Sequence, residues 1–449
     1  MTNNNKPNLL IIQTDQQSWW TLSCYGGAVI KTPHIDALAD KGVLFSNFFT
    51  NSAVCTPSRG CLVTGRYPTS HGAYTNNLPL NRDEITFAEV LKREGYKTGF
   101  VGKWHLDGYR KPGWIHPERG MGFDRVQYMF NRGHWKKIED SKANKKDDPV
   151  VSPYSEIGDS ETYTTDYLTN KTLAFLNEPS DEPFCFMLSL PDPHSPVTVR
   201  DPYNSLIDPS EIELPKTFNP TDLPDWAIEG QKSSQFGLNE ENREEKLKKF
   251  LASYYGEVKL IDDSVGRIVQ GLKDNGQYEN TLIVFTTDHG EYAGEHGLQH
   301  KNLLYETAYR IPMIFHWPKG LEKSQKIEEI VSTVDFQPTI LNLMGYSISG
   351  REEGCDASPL IRNEKLDWDN VSFLHHNTHN MAGIFTPEFE LAFVKDGDAI
   401  LFDRINDPLQ EKNLFKESNY KETVEVLKNR IIEHHQSLKT PSISWLNSV

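Results

Sequence analysis

Val54-Cys55-Thr56-Pro57-Ser58-Arg59-Gly60-Cys61-Leu62-Val63-Thr64-Gly65-Arg66 is the stretch around which this 449-residue chain is organised. Read as local structure, it is the start of a helix. Pro57 belongs in a first helical turn, and a short apolar run follows it. Cys55 then stands at the helix N-terminus, where unpaired backbone N–H groups favour an oxyanion. Arg59 lies one turn on, on the same side, and can hold a charged group at position 55. The competing reading is a buried thiol beside a turn proline, the usual situation of a lone cysteine. What the rest of the chain presents decides between them.

Working outward, Val43 to Phe49 reads as the strand that leads into this turn. Asn8 to Thr14 (NLLIIQT), Lys97 to Lys103 (KTGFVGK), Phe184 to Leu190 (FCFMLSL) and Thr281 to Thr287 (TLIVFTT) are further short buried-strand patterns. Each ends in polar groups: Asp15-Gln16, Lys103 with His105, His194, and Asp288-His289. A single strand-terminal Asp or His is most often a turn former or cap. Four of them converging on one sheet edge mark the usual ligand position of an open α/β sheet. Helical patterns alternate with the strands: from Thr32-Pro33 to near Gly42, from Ile85 to Glu94, from Lys248 to about Leu272, and after Thr333. The third carries an apolar stripe of Leu251, Tyr254, Val258, Ile261, Val265, Ile268 and Leu272. Ile311 to Trp317 completes the strands of this unit. From Trp135 to about Pro183 the chain turns polar, which predicts a surface insertion or flap. Beyond about Gly354 come short strands, Val371 to His375, Glu388 to Val394 and Ala399 to Asp403, then an amphipathic helix from Tyr420 to His434. The expected domains are therefore 1–354 and a small α+β unit over 355–449.

The net charge of −16 leaves no surplus of Lys or Arg to neutralise phosphates, so nucleic acid is not an expected partner. An anionic substrate would need a local basic pocket. Five cysteines without CxxC spacing indicate neither a zinc site nor a disulfide framework. No apolar run approaches membrane-spanning length, so no membrane partner is expected. Met1 to Pro7 lacks the apolar core of a signal peptide, so the expected location is cytoplasmic as written, and periplasmic or secreted if a leader has been removed.

The Cys55 block, with Cys55-x-Pro57-x-Arg59 at its core, resembles the signature of the type I, formylglycine-dependent sulfatases of the alkaline phosphatase superfamily. Asn8 to Gln17, Gly95-Tyr96-x-Thr98-x-x-x-Gly102-Lys103-Trp104-His105, and Thr287-Asp288-His289-Gly290-Glu291 through Lys301 to Tyr305-Glu306 are similar to further blocks of that family. So is Leu401-Phe402-Asp403 through Asn413-Leu414, which places the resemblance over nearly all of the chain in the right order. The resemblance implies an alkaline-phosphatase-like α/β fold, a mixed sheet sandwiched by helices, with a smaller C-terminal α+β domain. It implies hydrolysis of sulfate monoesters, a sulfated carbohydrate above all, and a maturation enzyme that oxidises Cys55 to formylglycine.

On the same resemblance, Asp15, Gln16, Asp288 and His289 match the metal ligands, with the modified Cys55 completing the site. Oxygen ligands suit Ca²⁺. Gln16 stands in place of a second Asp and His289 in place of an Asn, and the imidazole makes Mn²⁺ the alternative. These two variations also occur in phosphonate and phosphodiester hydrolases that share the formylglycine, the alternative function. Arg59 and Lys103 match residues that steady the formylglycine hydrate and sulfuryl oxygens. Lys301 and His194 match those that contact sulfate and protonate the leaving alkoxide, and His105 the base that deprotonates the second hydroxyl. Two lysines and an arginine would supply the basic pocket that the acidic chain requires. Other residues, among them His71, His134, His300, His375, Trp114 and Trp135, are candidates for lining a pocket, with packing or surface roles favoured for any one of them.

Overall fold

A computed structural model describes residues 6–144, 147–321, 323–376, 380–438 and 443–448, with the side chains of 376, 447 and 448 outside the description. Its centre is an eight-stranded sheet. The strands are β1 (Asn8–Thr14), β2 (Val43–Phe49), β3 (Lys97–Lys103), β4 (Met129–Phe130), β5 (Phe184–Ser189), β6 (Thr281–Thr287), β7 (Arg310–His316) and β8 (Gln325–Ser332). They lie in the order β8-β2-β7-β6-β1-β5-β3-β4. Only β7 is antiparallel to its neighbours, β2 and β6; every other pairing is parallel. The sheet is therefore mixed, and β1, β2, β3, β5 and β6 all deliver their C-terminal ends to one edge.

The two-residue period of a strand divides each apolar run between two cores. Leu10 and Ile12 of β1 face a cluster with Tyr254, Val258, Ile261 and Val265 of the long helix Arg243–Asp274. Leu9 and Ile11 face the opposite cluster, with Phe87 and Leu91 of Phe87–Arg93 and Phe336, Ile340 and Leu341 of Thr333–Leu343. Burial on both faces is why these strands read as continuous apolar runs instead of alternating ones.

The polar stretch after Trp135 departs from expectation. It contains the helix Thr164–Leu176, which packs on the long helix, with Tyr167, Leu168, Phe175 and Leu176 in the core. Its buried threonines escape the desolvation penalty by bonding back one turn, Thr169 Oγ1 to Thr165 O at 2.7 Å and Thr172 Oγ1 to Leu168 O at 2.9 Å. Lys136 is buried too, between Asp192 at 2.6 Å and Glu257 at 2.7 Å. β8 also escapes the sequence reading, because an edge strand written Gln-Lys-Ile-Glu-Glu-Ile-Val-Ser carries too many charges to look buried.

A second, four-stranded antiparallel sheet follows: β9 (Ser372–His376), β10 (Met381–Phe385), β11 (Phe389–Val394) and β12 (Ile400–Asp403). One face is covered by the helix Lys421–Ser437. The other shares a core with the large unit, where Phe385 packs on Phe49 at 4.5 Å between ring centroids.

Histidines tie this unit to the chain just after the Cys55 helix. His375 stacks on Tyr67 at 4.3 Å and on His435 at 4.4 Å, and its Nε2 lies 2.9 Å from His434 Nε2. Burial, with His435 alongside, pushes His434 down to about 3, and burial pushes His435 down to about 4. Both are neutral in the folded protein and take up protons on unfolding, so their contribution is intact above the unfolded value of 6.5 and is lost as pH falls toward about 4 for His435 and about 3 for His434. Denaturant melts should show stability falling across that window, by at most about 1.4 kcal/mol per pH unit for each histidine. His434→Gln should flatten the slope.

Candidate active site and metal centre

Residues from five strand ends meet at the Cys55 helix. β2 leads through Val54, the N-cap, into the helix Cys55–Thr64, whose every residue is buried. Cys55 occupies the first helical position, where the Thr56 N–H donates to Asn76 Oδ1 at 3.1 Å and Pro57 has no N–H to satisfy. Its Sγ lies 3.2 Å from His289 Nε2. Burial alone would push this thiol up, but the ammonium groups of Lys103 and Lys301 outweigh it and hold the thiol below its usual value. Any oxyanion at position 55 gains from the same field.

Asp15, Cys55, Asp288 and His289 present ligand atoms all within 4.8 Å of one another. The donor set fits a divalent cation on three counts. Asp15 Oδ1 is buried and has no hydrogen-bond partner, a costly state for a carboxylate oxygen that a cation would relieve. His289 Nδ1 donates to Gly290 O at 2.9 Å, which fixes the tautomer and leaves Nε2 as the coordinating nitrogen. Two backbone N–H groups, of Gln16 and His289, hold Asp288 Oδ1 at 3.0 Å each. Gln16 sits beside this set with its side-chain Oε1 accepting from Lys301 and its Nε2 donating to Glu291. An amide oxygen keeps a second lone pair, so the Lys301 contact does not remove Gln16 from the possible ligands.

Arg59 sits within the electrostatic reach of Cys55 and is held by the two acids beneath it. Its guanidinium is 2% exposed and faces the carboxylates, with Nη2 on Asp15 Oδ2 and Nε on Asp288 Oδ2, both at 2.9 Å. Nη1 donates to Gln13 Oε1, Lys103 O and Ser189 Oγ. The arginine therefore locks the two acids in place while its charge also acts on Cys55.

Above the cysteine is a cleft of about 200 Å³ lined by Cys55, Lys103, His105, His134, His194 and Lys301, together with Asn76, Asn77, Lys111, Arg132 and Gly133. Lys103 Nζ bonds Asp15 Oδ2 and lies 2.8 Å from His134 Nε2. Lys301 Nζ lies 2.8 Å from His194 Nε2. The two imidazoles stack face to face, 3.7 Å apart and 2° from parallel, so two Lys–His pairs lie side by side. His194 Nδ1 is 2.8 Å from Ser195 O and must donate to it, so Nε2 accepts from the Lys301 ammonium. Burial first, then the neighbouring lysine, holds His194 and His105 well below their ordinary values, and burial with His194 and Lys103 does the same to His134. A neutral His105 suits a base; its Nδ1 is buried and unpartnered. Gln16 and His105 adopt left-handed backbone, φ 61° and 60°, immediately beyond β1 and β3. Such residues cost about 1–3 kcal/mol each, a common feature of functional sites. Gly102 precedes Lys103 at φ +105°, where a Cβ would stand 1.9 Å from Ser189 O, so no larger residue fits there.

The Sulfatase family profile matches residues 7–346, and the profile of the N-sulphoglucosamine sulphohydrolase C-terminal region matches 294–437. The chain belongs to the sulfatase family. It is a sulfuric ester hydrolase by that membership. This sulfatase is 30% identical over 452 residues to the ulvan-active sulfatase of Formosa agariphila, covering 95% of this chain and 80% of the relative. Its fold matches a solved structure in complex with the substrate D-glucosamine-2-N,6-O-disulfate, with a TM-score of 0.80, 23% identity and coverage of 97% and 98%. It also matches the phosphonate monoester hydrolase of Agrobacterium radiobacter, with a TM-score of 0.77, 22% identity and 96% coverage of each chain. The alkaline-phosphatase-like α/β architecture read from the sequence is the one observed.

In the sulfatase, every site residue named from the sequence falls within this one region. Sequence reading did not single out Asn76, Asn77, Lys111 or Arg132. Arg132 and His134 follow β4, a strand of two residues too short to show a period, and Lys111 lies in a loop with none.

Proposed function

We propose that the protein hydrolyses sulfate esters of a saccharide through a formylglycine formed from Cys55. The observation that carries this reading is the cleft itself: a residue at a helix N-terminus, facing two lysines and neutral histidines, with a cation-ready carboxylate pair beneath. A divalent cation, Ca²⁺ with Mn²⁺ as the alternative, held by Asp15, Gln16, Asp288, His289 and position 55, would supply positive charge to the nucleophile and to the sulfuryl oxygens. Lys103 and Lys301 orient the sulfate and stabilise charge that spreads over its oxygens. The Lys301–His194 pair holds a proton where a leaving alkoxide would emerge, and neutral His105 takes one from the second hydroxyl at position 55. The names of the relatives support a sulfated sugar as the leaving alcohol.

A screen of defined sulfated saccharides, with protein co-expressed with a maturation enzyme, tests the reading. Turnover is expected to vanish on chelation and return with Ca²⁺ or Mn²⁺; full activity after rigorous metal removal would overturn the metal assignment. The fold match to a phosphonate monoester hydrolase favours one rival, and a phosphodiester turned over faster than any sulfate would establish it.

The two histidines should separate. His194→Ala should depress turnover of sugar sulfates, whose alkoxides need a proton, by about 10²–10⁴-fold, and aryl sulfates much less. His105→Ala should slow both and leave sulfated enzyme behind. Equal ratios of sugar to aryl turnover in both variants, with no adduct at position 55, would show the roles wrongly assigned.

A further inference from the structure

The cleft above Cys55 holds more positive charge than one sulfate uses. Its lining includes Lys103, Lys111, Arg132 and Lys301 and no carboxylate. Lys103 and Lys301 are engaged, the first with Asp15 and His134, the second with Gln16 and His194. The other two stand apart from any acid among the described residues. Arg132 donates to the amide oxygen of Asn77, and the Lys111 ammonium sits 4.4 Å from the Tyr154 ring centroid and 5.9 Å from that of Trp135. Arg132 also adds to the field that keeps His105 neutral, after burial, Lys103 and Arg59.

Four cations sharing one small cleft repel one another, and in a chain of net charge −16 they are a local reversal of sign. A bound anion relieves that repulsion, and a scissile sulfate held between Lys103 and Lys301 leaves Lys111 and Arg132 without a counter-charge. An arginine presents its N–H groups as a planar fork that matches a sulfate or carboxylate, and a lysine adds a point charge beside it. We propose that Lys111 and Arg132 bind a second anionic group of the substrate, a sulfate or carboxylate on the sugar that carries the scissile ester or on its neighbour. This rests on the saccharide sulfatase reading above and narrows it to multiply charged glycans.

The test compares kcat/KM of the matured, metal-loaded enzyme on pairs of saccharides that differ only by a second sulfate or only by a uronate carboxylate. At least one doubly charged member should be favoured about tenfold, through KM, since each partly exposed cation is worth about two- to fivefold. The preference should shrink as salt rises. Lys111→Gln and Arg132→Gln should each lower the ratio, their combination should bring it near one, and Arg132→Lys should keep part of it. A merely structural role for Arg132 through Asn77 would change both members of a pair alike and leave the ratio and its salt dependence untouched. The sulfate and carboxylate pairs show which anion is read. Equal kcat/KM within every pair, or a ratio unchanged in the double variant, overturns the inference and leaves the sulfatase reading standing. Absence of turnover on every saccharide overturns both.

Discussion

Cys55→Ala is expected to lower sulfate ester turnover by about 10⁴- to 10⁶-fold, down to what binding and fixed charge supply without a nucleophile. No other residue lining the cleft carries a thiol or hydroxyl: the neighbours are lysines, histidines, asparagines, Arg132 and Gly133. Cys55→Ser is the more informative change. A serine hydroxyl can attack sulfur, with the leaving alkoxide taking its proton from the Lys301–His194 pair, but it has no second hydroxyl for His105 to deprotonate. The sulfated serine should accumulate, seen as one added SO3 group on the peptide that contains position 55. Mass spectrometry of the same peptide from active wild-type protein should show the conversion of thiol to aldehyde. An unmodified thiol in fully active protein would overturn the formylglycine assignment.

Arg59→Ala should produce the largest loss of stability in the site. The guanidinium is buried between Asp15 and Asp288, both fully buried, and also satisfies Gln13, Ser189 and the carbonyl of Lys103. Removing one partner from a buried ion pair costs about 3–5 kcal/mol, chiefly because the remaining charges lose their compensation. Arg59→Lys should recover only part, since one ammonium cannot span both carboxylates. A bound divalent cation neutralises the same acids, so the loss measured in chelator should exceed the loss measured in excess Ca²⁺. Chemical denaturation of both variants, with and without metal, checks this. Equal destabilisation in the two conditions would mean that Arg59 and the cation do not share Asp15 and Asp288.

The sequence by itself determined the strand ends. A strand buried on both faces must be a short apolar run, so Asn8–Thr14, Lys97–Lys103, Phe184–Ser189 and Thr281–Thr287 declare themselves and point to the polar residues that follow. The helix at Cys55 was equally legible, because the constraint of Pro57 on the first turn is local. Residues with no local signal were not. β10 carries no charge pattern or turn dipeptide that sets it apart, and β8 looks too polar for a strand; both owe their conformation to the strands beside them. Thr164–Leu176 reads as surface until its hydroxyls are seen bonding to the preceding turn.

Only the tertiary structure decided what each site residue touches. Arg59 meets Asp288 across 229 residues and Lys301 meets Gln16 across 285, distances in sequence over which no periodicity acts. The clamp that Arg59 forms on two acids, the pairing of each lysine with a histidine, and the gathering of Lys111 and Arg132 into the cleft all follow from that. Residue type fixes which charges a chain can offer. Burial and long-range packing fix which of them are already paired, and therefore which are left to meet a substrate.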